Sequence, residues 1–388
     1  MISINKIARQ CILNIKEYVP GKSLEEVKRE LGLENVLQLS LNENMLGASP
    51  LAKKAMVKEI EEKSHLYPES LSPMLAARLA QIHQLDPDQF FVNNGMDGVL
   101  SMIGAAFIEV GDEVVTSQYS FFSYQHSTAR MGGKIVLVPQ TPDRRFDVDG
   151  IIAALTPKTK IVFLCNPNNP SGTIISRHEF DRLLTAVSKN ARDNSGTGSP
   201  GESSGTEQGN TLLVSDEAYY DFVDDPAYPQ TLPYLKDHPN LIITRTFSKV
   251  TGLAGMRVGY AMAHQDVIKI LRKVMEPFAV NRVAQAGALA SLDDHEFLRA
   301  SIQFVKEGRE QVYQGLLKMG FKAIPSQGNF VFVDIETPAA PICEAMLRQG
   351  VIIRPLGPQG MPTCLRITVG TPDQNIRMLN ALASALKS

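Results

Sequence analysis

Cysteine is scarce in this chain, and its four thiols stand far apart with no Cys-x-x-Cys pair: Cys11, Cys165, Cys343 and Cys364. This spacing argues against a disulfide framework and against a zinc site. The seven histidines form neither a His-Glu-x-x-His motif nor a close pair, so we expect no metal. No apolar run approaches the roughly 18 residues of a membrane span. Charged residues Lys6, Arg9 and Lys16 interrupt the N-terminal stretch, unlike a secretory signal, so a cytoplasmic protein is expected.

An excess of charge of either sign is also missing. The formal net charge is -2, which favours neither nucleic acid nor a membrane surface as a partner. Hydrophobic residues make up 44% and charged residues 21%, a balance typical of a folded enzyme. At 388 residues the chain is too long for one simple core, so two domains are expected.

Short apolar runs alternate with helical patterns between about residues 85 and 263. The runs are β-branched and apolar on both faces, as parallel strands covered by helices on both sides would be. They are Val114–Ser117, Ile135–Pro139, Ile161–Asn166, Leu212–Asp216 and Leu241–Phe247. Repeated units of this kind predict an α/β fold with a mostly parallel, doubly wound sheet, whose sites lie at the carboxyl ends of the strands.

The remaining segments suggest the domain boundaries. We expect an N-terminal arm over 1–38, a large domain over 39–276 and a smaller α+β domain over 277–388. Residues 190–210 are rich in Ser, Gly, Asn and Glu, and therefore cannot bury much apolar surface. We interpret them as a flexible surface insertion within the large domain.

The segment TFSKVTGLAGMRVGY (246–260) carries the strongest chemical signal. Lys249 follows a buried strand directly, where desolvation would lower the pKa of its amine and make it a nucleophile. Arg257 lies in a Gly-rich stretch and could bind a phosphate group bidentately, with hydroxyl donors from Ser248 and Thr246. By itself the segment also fits a surface lysine beside an ordinary Arg257 salt bridge.

Two further segments follow predicted strands. Asp216, in DEAYYDF, ends a strand, and a buried carboxylate there needs a cationic partner such as a pyridinium nitrogen. Tyr219 could donate to a phenolate oxygen on the same ring. The turn NPNNPSGT (166–173) could hold the Asn169 amide towards that oxygen. Helix capping by Asp216 and an ordinary Asn-Pro turn are the alternative readings.

A fourth segment, VNNGMDGVL (92–100), predicts a helix that Gly95 opens and Asp97 caps. Backbone N–H groups at a helix start bind phosphate well. An ordinary capped helix would have the same pattern.

Together these segments resemble the fold-type I pyridoxal-phosphate aminotransferases, and most closely their histidinol-phosphate branch, over essentially the whole chain except the Ser/Gly-rich stretch. The resemblance implies pyridoxal 5'-phosphate as cofactor and Lys249 as the residue that binds it covalently. It implies that Asp216 pairs with the pyridine nitrogen, and that Tyr219 and Asn169 bind the phenolate oxygen. The implied phosphate cradle is Gly95, Met96, Asp97, Thr246, Ser248 and Arg257, and Tyr119 is implied to stack on the ring.

The same resemblance implies the substrate residues and a dimer. Tyr67 matches a tyrosine that reaches the neighbouring subunit's cofactor phosphate, and Tyr18 one that approaches the substrate across the dimer. Asn44 belongs to an Asn-Glu-Asn stretch near the site, and Arg354 and Arg366 match the arginines that bind the substrate anion. A homodimer with shared active sites is therefore expected.

The chain departs from the family pattern at Met96 and Gly98, where a serine and a glutamate are usual, and at Met45 and Ala48, which replace prolines. These changes remain compatible with cofactor binding and put the precise substrate in question. The expected reaction is transamination of histidinol phosphate with 2-oxoglutarate. The alternatives are an aromatic or other amino-acid aminotransferase, a phosphothreonine decarboxylase, and a catalytically idle binding homologue.

Overall fold

The computed structural model describes residues 4–15, 17, 24–190 and 210–387. Its α-helices are α1 (Gln10–Leu13), α2 (Leu24–Leu31), α3 (Pro50–Lys63), α4 (Pro73–His83), α5 (Gly95–Phe107), α6 (Ser123–Met131), α7 (Val148–Ala153), α8 (Arg177–Lys189), α9 (Gln265–Val274), α10 (Arg282–Ser291), α11 (His295–Lys318), α12 (Ala339–Arg348) and α13 (Pro372–Ala385). Its strands are β1 (Leu37–Leu39), β2 (Phe90–Asn94), β3 (Glu113–Ser117), β4 (Lys134–Val138), β5 (Thr159–Cys165), β6 (Leu212–Asp216), β7 (Leu241–Thr246), β8 (Val258–Ala263), β9 (Lys322–Ile324), β10 (Phe330–Asp334), β11 (Val351–Pro355) and β12 (Cys364–Thr368).

A seven-stranded sheet forms the large domain, in the order β2-β8-β7-β6-β5-β3-β4. Strand β8 runs antiparallel to both of its neighbours, and the other pairings are parallel. The inner strands β5, β6 and β7 are buried almost throughout, because helices cover both faces. The predicted α/β fold with a mostly parallel, doubly wound sheet is confirmed, and the five predicted runs correspond to β3 to β7.

A five-stranded sheet forms the small domain, in the order β1-β11-β12-β10-β9. Strand β1 pairs in parallel with β11, so the segment just before residue 40 belongs to this sheet. Helix α10, in contrast, packs on α3 and contributes Ala284 and Ala288 to the large core. Both observations favour domain boundaries other than those expected at 38 and 276. We propose a large domain of about 40–292, and a small domain built from the chain segments before and after it.

The chain crosses between the two domains twice, once in 40–49 and once between α10 and α11. The crossings are joined, since the Ser49 hydroxyl donates to the Asp294 carboxylate at 2.5 Å. Further along the interface, Gly172 has φ +75° and lies so close to Ser326 that a Cβ would collide with that side chain. The two domains are therefore in close contact both where the crossings meet and at Gly172.

The predicted insertion lies outside the described residues except for its ends. There the Asn210 backbone N–H donates to the Asn190 carbonyl at 3.1 Å, so α8 and β6 are brought close without it. Within the described part of the chain, no helix is long and apolar enough to cross a membrane.

The sheet core should dominate the stability of the large domain. Leu164 on β5 is fully buried, whereas Leu137 on β4 is 39% exposed. We expect Leu164→Ala to lower the free energy of unfolding by about 2–5 kcal/mol, because it leaves a cavity in a close-packed core. Leu137→Ala is the matched control with a much smaller loss. Urea unfolding checks both, and equal losses would contradict this description of the core.

Candidate active site

A cavity of about 440 Å³ lies where β5, β6 and β7 end and the small domain closes over them. It brings together most of the residues singled out in the sequence. Those that line it are Met96, Asp97, Asn169, Asp216, Tyr219, Thr246, Ser248, Lys249, Arg257, Arg354 and Arg366. Their clustering follows from the parallel sheet, whose strand ends meet at one edge.

Lys249 follows β7 and reaches the middle of the cavity. Its Nζ donates to the backbone carbonyls of Asn42 at 3.0 Å and Leu41 at 3.4 Å. Burial, together with the positive charges of Arg366 and Arg257, lowers the pKa of Lys249 from 10.5 to about 7. A large fraction of this amine is therefore unprotonated near neutral pH, as a nucleophilic lysine requires.

Asp216 ends β6 and is 2% exposed. Its carboxylate accepts hydrogen bonds from the Tyr124 hydroxyl at 2.6 Å and from the Ala218 backbone N–H at 3.2 Å. Burial raises the pKa of Asp216 to about 6 against the lowering effect of these two donors. No residue of the described ranges forms a salt bridge with it, so a cationic ring nitrogen in the cavity would complete its environment.

Tyr219 lies beside Asp216, and its hydroxyl oxygen receives two amide donors. The Nδ2 atoms of Asn42 and Asn169 lie 3.0 Å and 3.3 Å from it. Because both neighbours donate, the hydroxyl proton of Tyr219 is free to be donated into the cavity.

The opposite end of the cavity is suited to an anion. Arg257 lies over Gly95, which has φ +72° and sits so close that a Cβ would collide with the guanidinium. Arg257 Nη1 also lies 3.4 Å from Ser248 Oγ, which Thr246 contacts at 3.0 Å. The start of α5, an arginine and two hydroxyls form a cradle suited to a phosphate group, and the positive φ of Gly95 favours glycine there.

Asp97 does not cap α5 as the sequence suggested. The residue before the helix is Asn94, which makes no side-chain cap. The Asp97 carboxylate instead accepts from Ser123 Oγ at 2.6 Å and lies 3.4 Å from Arg257 Nη2. The carboxylate is stabilised there by a hydrogen bond from Ser123 and by the positive charge of Arg257.

The set of groups fits pyridoxal phosphate at every functional position of that molecule. An amine of lowered pKa suits the aldehyde, and a buried carboxylate without a salt bridge suits the ring nitrogen. The free hydroxyl proton of Tyr219 suits the phenolate oxygen, and the cradle at Gly95 suits the phosphate.

Two arginines of the small domain face the same cavity. Arg354 on β11 and Arg366 on β12 are cross-strand partners. Arg366 donates to Asn169 Oδ1 at 2.7 Å and to the Ser40 carbonyl at 2.5 Å. Burial and the charge of Arg354 lower the pKa of Arg366 to about 10. Two neighbouring guanidinium groups that face one cavity are suited to bind an anion.

The structure does not bring every predicted residue to the cavity. Tyr119 packs against the small-domain cluster that contains Phe332 and lies under the guanidinium of Arg144. Its backbone oxygen accepts from Gln140 Nε2 at 2.9 Å and from Asn168 Nδ2 at 3.0 Å. Tyr119 does not line the cavity, whereas Phe121 does, so the stacking of Tyr119 on the cofactor stays a prediction.

Asn44 does not line the cavity, so its role towards the substrate stays a prediction. Its Nδ2 donates to the Val250 carbonyl at 3.0 Å and to Ser301 Oγ at 2.9 Å, so its amide fixes the domain interface. Tyr67 is 79% exposed and stacks on Phe278 at the surface, away from this cavity. Tyr18 lies outside the described residues.

Sequence reasoning missed three residues that the structure brings to the site. Asn42 stands in the same Asn-Glu-Asn stretch as Asn44, and alternation along the stretch was the available signal. Phe121 and Tyr124 belong to one aromatic run after β3, whose spacing does not reveal which ring faces inward. The need of buried Asp216 for a donor was a signal for Tyr124.

The sequence profile of aminotransferase class I and II matches residues 34–192 and 205–382 of this chain. The chain belongs to this family of pyridoxal-phosphate-dependent aminotransferases.

Individual relatives agree with one another. A histidinol-phosphate aminotransferase of Moorella thermoacetica is 39% identical over 97% of this chain and 92% of its own length. One from Brevibacillus brevis is 38% identical over 96% and 97% of the two chains. A crystal structure of the Sinorhizobium meliloti histidinol-phosphate aminotransferase in complex with pyridoxal-5'-phosphate superposes with a TM-score of 0.84, at 26% identity and 97% coverage of both chains.

The lowered pKa of Lys249 generates a pH prediction. Protonation removes the nucleophilic lone pair of the amine. As the pH rises towards about 7, the rate of covalent capture of pyridoxal phosphate by the apoprotein should therefore increase about tenfold per pH unit, and above that pH it should level off. Stopped-flow absorbance between pH 5.5 and 10 measures this. Lys249→Ala is the control and should show neither capture nor turnover. A rate still rising at pH 10 would indicate an ordinary lysine.

Proposed function

We propose that the protein transfers the amino group of histidinol phosphate to 2-oxoglutarate. The observation that carries the proposal is the pair of arginines, Arg354 and Arg366, on adjacent strands facing the cavity. A phosphate monoester carries close to two negative charges and several acceptor oxygens, and two guanidinium groups match it better than one. Full-length relatives named for this reaction, at 37–39% identity, support the same substrate.

The bound cofactor supplies an aldehyde that captures amines and a ring that takes up electron density. We propose that Lys249 binds it covalently and afterwards takes the proton from the amine-bearing carbon of the substrate. Asp216 would keep the ring nitrogen protonated, and Tyr219 and Asn169 would hold the phenolate oxygen. Arg257, with the first backbone N–H groups of α5 and the hydroxyls of Thr246 and Ser248, would hold the phosphate.

The reaction can be tested by adding one amine at a time to the holoenzyme and following the absorbance of the cofactor. Other reactions are possible outcomes of this test. Arg366 could hold an α-carboxylate, as an amino-acid aminotransferase requires, because it is buried and faces the cavity. Loss of the cofactor absorbance with phenylalanine, tyrosine or aspartate, but not with histidinol phosphate, would favour that activity. Release of carbon dioxide would indicate a phosphothreonine decarboxylase, and no change with any amine would indicate an idle homologue.

The arginine pair gives a matched test of the substrate. Arg354→Ala should raise KM for histidinol phosphate about 10- to 100-fold, since a charge-assisted hydrogen bond contributes about 1.5–3 kcal/mol. The same change should alter the half-reaction with phenylalanine little, because that substrate has no phosphate. Arg348→Ala, whose side chain is 71% exposed on α12, is the control. Equal losses with both substrates would contradict phosphate recognition by Arg354.

We propose that two copies form a homodimer with shared active sites. Support comes from an exposed apolar face that spans α3, the loop after it and the start of α4. Its members are Val57, Ile60, Leu66, Tyr67, Leu71 and Met74, with exposed fractions from 46% to 79%. Phe278 extends this face through its stack on Tyr67, with ring centroids 4.8 Å apart. So much exposed apolar area is typical of a contact surface.

The dimer can be tested with one charge. Val57→Glu places a carboxylate in this face and should shift the protein towards monomers in sedimentation velocity, because a buried unpaired charge destabilises an interface. Ile376→Glu, at a 49% exposed position on α13, is the matched control. Sedimentation of both variants as the wild type would refute this interface.

We also propose the cytoplasm as the location. All four cysteines are free thiols, which suits a reducing compartment.

A further inference from the structure

Tyr219 can donate its proton to the cavity only if both neighbouring amides present nitrogen to it. An Asn side chain turned by 180° would present its oxygen instead and would accept that proton. The direction of two amides, on Asn42 and Asn169, therefore decides where the Tyr219 proton points.

Thr368 fixes the direction of the first amide. Its hydroxyl oxygen accepts the Asn42 backbone N–H at 2.9 Å and lies 3.1 Å from Asn42 Oδ1. With the backbone donor already accepted, the hydroxyl hydrogen is donated to Oδ1, and Nδ2 is left facing Tyr219 at 3.0 Å. Both Asn42 and Thr368 are 1% exposed, so water does not replace these bonds.

The backbone holds Asn42 in the same place. Its φ of 58° lies in the left-handed region, which asparagine adopts more readily than most residues. Its carbonyl accepts from Asn329 Nδ2 at 3.0 Å as well as from Lys249 Nζ at 3.0 Å. Asn42 therefore contacts two of the groups assigned to the chemistry.

The second amide is fixed from the same strand. Arg366 donates to Asn169 Oδ1, which turns Asn169 Nδ2 towards Tyr219. Arg366 and Thr368 are two residues apart on β12 and so lie on one face of it. One strand of the small domain thus orients both donors to a tyrosine of the large domain.

We propose that Thr368 and Asn42 are positioning residues that direct the hydroxyl proton of Tyr219 into the cavity, towards the phenolate oxygen of the cofactor ring. The inference rests on the proposed role of Tyr219. A hydrogen bond to the phenolate stabilises its ionised form, and its loss must raise the pKa of the bound cofactor.

The test is a pH titration of the visible absorbance of the holoenzyme. Tyr219→Phe should raise the cofactor pKa by about 1–2 units, the shift that corresponds to a lost charge-assisted hydrogen bond. Thr368→Val keeps the shape and removes the hydroxyl, and should raise it by about 1 unit. Thr368→Ser should restore the wild-type value, because serine keeps the hydroxyl.

Two controls separate positioning from a general loss of packing. Thr116→Val removes another buried threonine hydroxyl, bonded to the Phe163 carbonyl on the large sheet, and should leave the titration unchanged. Thr368→Val added to Tyr219→Phe should cause no further shift, because the threonine acts only through the tyrosine. Asn42→Leu removes the same donor without touching β12, and serves if Thr368→Val does not bind the cofactor.

The outcomes are distinct. A Tyr219→Phe titration equal to the wild type overturns the proposed role of Tyr219 itself. A shift in Tyr219→Phe without one in Thr368→Val or Asn42→Leu overturns the inference and leaves that role standing. Additive shifts in the double variant also overturn it, because the threonine would then act by another route.

Discussion

A carboxylate that is 2% exposed and forms no salt bridge with the described residues destabilises a folded protein, and Asp216 is such a group. Its pKa, raised from 3.8 to about 6, corresponds to about 3 kcal/mol against folding at neutral pH, a penalty that disappears as the pH falls and the group is protonated. Tyr124 offsets part of it through a hydrogen bond and is held in place by stacking on Phe163, with centroids 4.6 Å apart. A cationic ring nitrogen in the cavity would offset the remainder of this penalty.

The parallel sheet explains why the required groups meet. Strands β5, β6 and β7 are neighbours and end at the same edge, so Asn169, Asp216 and Lys249 follow one another across the sheet. The small domain supplies what the sheet cannot, since β11 and β12 bring Arg354 and Arg366 over the open side. A ligand bound between the domains therefore contacts both of them at once. The free energy of ligand binding then depends on how the two domains are positioned.

The local sequence was sufficient to predict that Lys249, Asp216 and Arg257 lie together, because each stands at a fixed distance from a recognisable strand end. It was insufficient where a loop decides which side chain points inward. Tyr119 and Phe121 both lie on the loop between β3 and α6, but only Phe121 lines the cavity, while Tyr119 packs on the small-domain cluster with Phe332. The domain boundaries proposed above depend on a similarly distant contact, since the pairing of β1 with β11 spans more than 300 residues.

The two chain crossings meet at the hydrogen bond between Ser49 and Asp294. A body attached by two separate links can swing only about the line through them, and links that touch leave a single pivot. Side chains beside that line, such as Asn44 on Ser301, lie where a rotation of one domain against the other would displace atoms least. Residues 41 and 42, whose carbonyls accept from Lys249 Nζ, belong to the first of these links, so one stretch of chain carries both the contact with Lys249 and the meeting point of the domains.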